Sequence, residues 1–123
     1  MPSILYIFTR NSVDSRSAAD GLEALMASCA MELEVSVAFV HDGVFILQRG
    51  QGEFEDDDPM APLKKGFKAF GALYDFGVEN IWVYDTSLQS RAVAIEEMSL
   101  AVQVCNTQEL AAQLRAHDQV LVF

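Results

Sequence analysis

Ser3–Phe8 reads SILYIF, an unbroken apolar run that stops at the polar segment Thr9–Ser12. A strand buried on both faces of a parallel sheet shows such a run, whereas a strand with one solvent-facing side alternates apolar and polar residues. The run is far too short to cross a bilayer, and the chain's beginning lacks the cleavage site of a signal peptide. We therefore predict that the chain opens with an interior strand of a parallel sheet and does not insert into a membrane.

Four further β segments follow this strand, and stretches with helical spacing separate them. The β segments are Glu34–Val40, Ile81–Tyr84, Ala101–Val104 and Val120–Phe123. The helical stretches are Asp14–Ala30, Leu63–Tyr74, Asp85–Arg91 and a last helix that Asn106 or Thr107 caps. Helical connections between successive strands imply parallel pairing through right-handed crossovers. The pattern predicts one α/β domain over residues 1–123, with three layers (α/β/α) around a five-stranded parallel sheet.

Local signals at three places are less decisive. Ser12 or Asp14 is the expected N-cap of the first helix, because side-chain oxygens at that position accept hydrogen bonds from free backbone N–H groups. Val44–Leu47 is too short to choose between a helical turn and extended chain. Gln48–Pro59 contains two glycines and the acidic run Glu53–Asp58, so we expect a mobile loop there.

The composition indicates a cytoplasmic domain that does not bind nucleic acid directly. Of the 123 residues, 51% are apolar, which is enough to build one core without metals or disulfides. Eighteen acidic and eight basic residues give a net charge of −10, while nucleic-acid affinity depends on Lys and Arg that neutralise phosphates. Two cysteines without a C-x-x-C pair favour a reducing compartment over a secreted disulfide framework.

The two cysteines are the candidate nucleophiles. Cys29 falls on the apolar face of the first helix, where a free cysteine behaves as a small core residue. Cys105 lies at a strand end just before a helix N-terminus, a position that can stabilise a thiolate. No Lys, Arg or His lies close to Cys105 in sequence to activate it. A structural role and a reactive role for Cys105 both remain open at this point.

Other polar groups offer weaker candidates. His41 and Asp42 are adjacent, so in extended chain their side chains point apart and do not form a general-base pair. The segment Thr9–Ser17 precedes a helix and is a candidate anion-binding loop, although it lacks the glycine motifs of nucleotide-binding loops. The carboxylates of Glu96–Glu97 have no histidine at ligand spacing, so we expect no metal and no cofactor.

Bulky apolar residues are more numerous than short crossover elements need, and an exposed apolar patch usually marks a partner surface. This set comprises Val44, Phe45, Ile46, Leu47, Phe54, Phe67, Phe70, Leu73, Tyr74, Phe76 and Trp82. Two interpretations stand beside each other: the residues fill the core, or some of them form a subunit interface. The residues that we select as interface candidates are Asp42, Gly43, Val44, Phe45, Phe67, Phe70 and Tyr74.

Four segments, spread in order along the chain, resemble the DsrE/DsrF-like sulfur-relay family, most closely its TusC/DsrF branch. They are Gly21–Ala27, Asp42–Leu47 with Gly50–Gln51 after it, Phe67–Asp75, and Ser87–Arg91. The chain departs from the branch at Ala92, where a glycine often follows the arginine, and in the strength of its acidic run.

This resemblance implies a cytoplasmic complex with two copies each of three related subunits: this chain, a TusB/DsrH-like subunit and a TusD/DsrE-like subunit. In the Tus set the complex passes persulfide sulfur toward 2-thiouridine at the wobble position of tRNA. In the related Dsr set it serves dissimilatory sulfur oxidation. The family's carrier cysteine follows the third strand of the TusD/DsrE-type subunit, where this chain reads Val83–Ser87 without a cysteine. The resemblance therefore implies a non-catalytic interaction subunit.

Overall fold

The computed structural model describes residues 2–11, 16–50, 55, 57–59 and 68–123. Within these residues the strands are β1 (Ser3–Phe8), β2 (Glu34–Phe39), β3 (Asn80–Tyr84), β4 (Gln103–Cys105) and β5 (Gln119–Val122). The α-helices are α1 (Ser17–Ala30), α2 (Leu73–Phe76), α3 (Asp85–Ser90) and α4 (Thr107–Ala116). Two 3₁₀ helices cover His41–Phe45 and Ile95–Glu97. The predicted alternation of strands and helices is confirmed.

The described strands form one five-stranded sheet in the order β4-β3-β2-β1-β5, and each neighbouring pair is parallel. β1 pairs with both β2 and β5, so the predicted interior position of Ser3–Phe8 is confirmed. The chain moves in one direction from β1 to β4 and returns through α4 to the opposite edge at β5. Right-handed crossovers then place α4 on the face opposite the earlier helices. The three-layer α/β/α prediction is confirmed.

The core divides into two clusters because alternate residues of each strand point to opposite faces. On one face Tyr6, Phe8 and Phe39 pack beneath α1 and the segment that includes Phe70. On the other face Leu5, Ala38, Trp82 and Cys105 pack with Leu110 of α4. A single ten-residue helix therefore supplies the described helical cover of the second face.

The helix ends differ from their predictions at two places. α1 begins at Ser17 with Arg16 at the N-cap and without a side-chain cap bond, so the prediction of Ser12 or Asp14 at that position is wrong. The predicted continuous helix through Tyr74 is also wrong, because its turn breaks at Gly71 before α2 begins. Gly71 and Ala72 close this break with 3₁₀-type hydrogen bonds to the carbonyls of residues 68 and 69.

The start of α4 agrees with the prediction of a cap at Asn106 or Thr107, and the N-cap is Asn106. The Asn106 side chain accepts a hydrogen bond from the backbone N–H of Glu109 at 2.8 Å, and the Glu109 carboxylate accepts from the backbone N–H of Asn106 at 3.1 Å. This reciprocal capping box satisfies two N–H groups that a helix start otherwise leaves free. It fixes the helix that immediately follows Cys105.

Candidate functional site

The carboxyl ends of the strands form the candidate site, since ligands and partners of open parallel sheets commonly bind there. Thr9, His41, Asp85 and Asn106 follow β1, β2, β3 and β4 along this edge. Thr9 is already engaged, because its backbone N–H and its Oγ1 both donate to the carbonyl oxygen of Phe123, at 2.7 and 2.8 Å. That contact ties the end of β1 to the end of the chain.

The turn after β2 packs directly onto β1. A Cβ atom on Gly43 would lie 2.0 Å from the carbonyl oxygen of Phe8, so only glycine fits this close backbone approach. His41 has a φ of 51°, in the left-handed region that a non-glycine residue adopts at a cost of about 1 kcal/mol or more. The positions of both residues are set by the surrounding backbone.

Two contacts join this turn to α3. The backbone N–H of His41 donates to Oγ of buried Ser87 at 2.8 Å. Nε of Arg91 donates to Oδ1 of Asp42 at 2.8 Å, forming an ion pair that is partly exposed to solvent. Because Asp42 binds Arg91, its carboxylate does not orient the exposed ring of His41. The structure supports the sequence interpretation that His41 and Asp42 are not a general-base pair.

Cys105 ends β4 and is 2% exposed. Burial, followed by the nearby carboxylates of Glu109 and Asp85, raises the pKa of its thiol to about 11, against a smaller opposing effect of a backbone hydrogen bond. The thiol is therefore protonated at neutral pH, and the helix that follows does not activate it. Cys29 packs at the edge of the first core cluster, where burial also raises the pKa of its thiol.

Three of the predicted interface residues are buried within the described part of the chain. Val44 and Phe70 are 0% and 1% exposed, and the Phe70 ring packs edge-on against Phe8 with centroids 5.0 Å apart. Gly43 is also buried, and Phe45 is partly buried. Gly43, Val44 and Phe70 therefore offer little side-chain surface to a partner, whereas Phe45 is partly exposed.

Asp42 and Tyr74 are the exposed members of the interface set among the residues described, while Phe67 lies outside the described residues. The Tyr74 hydroxyl donates to the carbonyl oxygen of Ala101 at 2.5 Å, and burial raises the pKa of this hydroxyl. Most described members of the wider apolar set are buried, which favours the core interpretation. Its buried members are Val44, Ile46, Leu47, Phe70, Leu73 and Trp82, and Phe54 lies outside the described residues.

Three further expectations concern a metal site, a membrane-spanning helix and two loop segments. In the described part of the chain, no group of three or more His, Cys, Asp or Glu side chains is placed to hold a metal ion. No described helix is long and apolar enough to cross a membrane. Much of the anion-loop candidate Thr9–Ser17 and of the acidic run Glu53–Asp58 lies outside the described residues.

Sequence reasoning missed the contacts of Ser87 and Arg91. Both residues lie in the segment Ser87–Arg91 that carries the family resemblance, but their partners lie 46 and 49 positions away in the chain. No local spacing connects such distant positions. The neighbouring strands β2 and β3 bring them together, so only the strand order reveals the link.

Comparison with known proteins fits this architecture. The model of the DsrE/DsrF-like family matches residues 3–123. The chain belongs to this family. It is 34% identical over 123 residues to a Protein TusC homolog of Pseudomonas aeruginosa, and the match covers 98% of each chain. It is 33% identical over 124 residues to a Protein TusC homolog of Vibrio vulnificus, with 100% of both chains covered.

A solved structure shares the fold of this DsrE/DsrF-like chain. The YchN protein from E. coli superposes with a TM-score of 0.75 over 100% of both chains, at 21% sequence identity. At that identity the likeness concerns the fold alone. The five-stranded parallel α/β architecture is therefore common to both proteins, while the sequence matches carry the relation to the TusC homologs.

Proposed function

We propose that this chain is a non-catalytic structural and interaction subunit of a heteromeric sulfur-relay complex that passes persulfide sulfur toward 2-thiouridine at the tRNA wobble position. The observation that carries the proposal is the full-length similarity to TusC homologs. The family match over residues 3–123 supports it independently of any single motif.

The chemistry of sulfur relay explains why we assign no carrier role here. A carrier thiolate attacks the outer sulfur of a donor persulfide, forms a new S–S bond and releases the donor's thiolate; the next acceptor repeats the step. Such a thiol must be ionised and reachable. Cys105 is 2% exposed with a pKa raised to about 11, and Val83–Ser87 contains no cysteine. These features support a partner that positions another subunit's cysteine.

The proposed assembly contains TusB/DsrH-like and TusD/DsrE-like subunits with this chain, in two copies each, in the cytoplasm. The net charge of −10 supports contact with sulfur donor and acceptor proteins and no direct grip on RNA. The turn Asp42–Phe45 and the segment Phe67–Tyr74 are the proposed interface elements. Within them, Asp42, Lys68 and Tyr74 are the exposed side chains described.

Two alternatives stay in view. The same family fold serves a subunit of a dissimilatory sulfur-oxidation complex, which differs in the acceptor and not in this chain's role. A sulfur carrier acting through Cys105 is disfavoured by the burial and the raised pKa of that thiol. Deleting the chain and quantifying 2-thiouridine in tRNA distinguishes the sulfur-oxidation alternative from the proposed function. A loss of 2-thiouridine supports the proposed function, because sulfur oxidation does not require that nucleoside.

Co-expression with the two sister subunits tests the proposal. We expect the three chains to co-purify and native mass spectrometry to report equal copies of each. A chain that stays monomeric under these conditions and never co-purifies contradicts the proposal. Addition of phosphate or sulfate tests the anion-loop candidate in parallel, since a ligand that binds the native state raises its stability.

A further inference from the structure

An apolar groove lies beside β4, at one edge of the described sheet. Its cavity has a volume of about 430 Å³. The lining comes from α3, from the turn after it, from the second 3₁₀ helix and from β4. The lining residues are Asp85, Leu88, Gln89, Ala92, Val93, Ala94, Ile95 and Val104.

The groove has a buried floor and walls that are partly exposed to solvent. Leu88 and Val93 are 6% and 7% exposed and belong to the first core cluster, so the floor is part of the folded core. Ile95 and Val104 are 37% and 44% exposed and stand among the large apolar side chains that solvent reaches. Each therefore presents apolar surface that a bound group would remove from water.

The backbone of Ala92, in the groove lining, adopts a strained conformation. Its φ is 52°, and the N–H groups of Ala92 and Val93 bond to the carbonyls of Gln89 and Leu88 at 3.3 and 3.0 Å. This is a Schellman end of α3, in which glycine is usual at the left-handed position. Alanine here accepts backbone strain and adds a methyl group to the groove lining.

Two exposed or partly exposed carboxylates lie at the groove. Asp85 lines it, and exposed Glu96 directly follows the lining residue Ile95 in the chain. No lysine or arginine is among the lining residues, and Arg91 is paired with Asp42. An acidic rim around an apolar groove is complementary to a basic segment with an apolar anchor. β4 is also an edge strand, because among the described strands it pairs with β3 alone.

We propose that the groove beside β4 docks an extended segment of a sister subunit, in which a large apolar side chain enters the groove and a neighbouring lysine or arginine faces the acidic rim. This inference rests on the proposed function for the existence of the sister subunits. It adds where one of them binds and which chemistry is recognised. Because no described strand pairs with the outer edge of β4, the segment has room to lie there as an added strand, a common mode of peptide recognition.

The test uses the co-expressed assembly, with native mass spectrometry at falling concentration as the readout. Val104→Asp places a carboxylate in the groove, and we expect dissociation of one sister subunit at a concentration at least about tenfold higher than in the wild type, as for loss of a central interface contact. The matched control is Val122→Asp, a change of the same residue type on the opposite edge strand, which is expected to leave assembly unchanged. Thermal melting verifies that both variants fold.

A second variant tests the charge. We expect Asp85→Asn with Glu96→Gln to weaken the same subunit contact and to reduce its sensitivity to salt between about 50 and 500 mM NaCl, because screening acts on the charges that the variant removes. This pair remains informative if Val104→Asp fails to fold. An assembly whose dissociation is the same in the wild type and in the charge variant overturns the groove proposal.

The outcomes separate the two proposals. Absence of any wild-type complex overturns the proposed function and the groove with it. A wild-type complex that persists unchanged in folded Val104→Asp overturns the groove alone. Equal losses in Val104→Asp and Val122→Asp also contradict the groove, since the effect is then not specific to the β4 edge.

Discussion

At the scale of single residues, Gly43 is the position where the turn after β2 tolerates no side chain. Its missing Cβ leaves room for the carbonyl oxygen of Phe8, which would otherwise lie at 2.0 Å. We expect Gly43→Ala to lower the free energy of unfolding by about 3 kcal/mol, since backbone must move to relieve the overlap. Denaturant unfolding measures this change.

Gly71→Ala is the control for that experiment. A Cβ there meets the Lys68 carbonyl oxygen at 3.2 Å, a contact that a small local shift relieves. We expect a change within about 1 kcal/mol, because alanine restricts the unfolded chain and this gain offsets the tighter contact. Equal losses in the two alanine variants would show that the Phe8 contact does not determine the turn.

Cys105 gives a pH-dependent prediction at the same scale. Its pKa is raised from 9.0 to about 11, so the neutral thiol is the form that the fold favours. The resulting stability is fully present below pH 9 and is lost as the pH rises toward 11. We expect alkylation of Cys105 in the folded protein to stay slow at neutral pH, as followed by mass spectrometry of the modified peptide. Rapid neutral-pH alkylation of Cys105 without unfolding would contradict the buried, protonated thiol.

At the scale of the elements, α3 ends on a strained residue. Ala92 occupies the left-handed position of its Schellman end with a φ of 52°. We expect Ala92→Gly to raise the free energy of unfolding by up to about 1 kcal/mol, because glycine adopts this conformation without strain. Chemical denaturation of the two proteins side by side provides the measurement.

Ala94→Gly supplies the comparison for that change. Ala94 has a φ of −86°, a conformation that alanine adopts freely. Glycine there is expected to destabilise by about 0.5 kcal/mol, since it adds freedom to the unfolded chain without relieving strain. If both glycine variants destabilise equally, the backbone of Ala92 is not the source of strain.

The capping box of α4 belongs to the same scale. We expect Asn106→Ala to cost about 1 kcal/mol of stability, because it leaves the Glu109 N–H without its side-chain acceptor. Gln108→Ala, an exposed change in the same helical turn, is expected to have little effect. Thermal unfolding that ranks Gln108→Ala as the more damaging change would exclude the cap as the stabilising feature.

The elements also show which features were readable from sequence. Ser3–Phe8 and the Asn106 cap were predicted correctly because unbroken apolar runs and capping residues act locally. The start of α1 was not predicted, because its N-cap residue Arg16 makes no side-chain cap bond. The break at Gly71 was not predicted, because the apolar residues Phe70, Leu73 and Tyr74 keep helical spacing across it. Val44–Leu47 stayed undecided because a 3₁₀ turn of this length has no periodic signal.

At the scale of the whole molecule, the strand order determines the candidate site. It brings His41 to Ser87 and Asp42 to Arg91, which are 46 and 49 positions apart in the chain. Local sequence spacing does not predict these contacts. The order also leaves β4 and β5 as the two edges of the described sheet. The apolar surplus read from the sequence mostly fills the core, so exposed surface such as that beside β4 carries the partner hypothesis.

The central claim is that this chain supports sulfur relay without carrying sulfur. The most direct measurement is the 2-thiouridine content of tRNA in cells whose only copy of the chain is Cys29→Ala/Cys105→Ala, with co-purification of the sister subunits as the assembly control. Alanine avoids burying an unpaired hydroxyl at Cys105. We predict thiolation equal to the wild type, and loss of thiolation on deletion of the chain. Loss of thiolation in the double variant while the complex remains assembled would contradict the account.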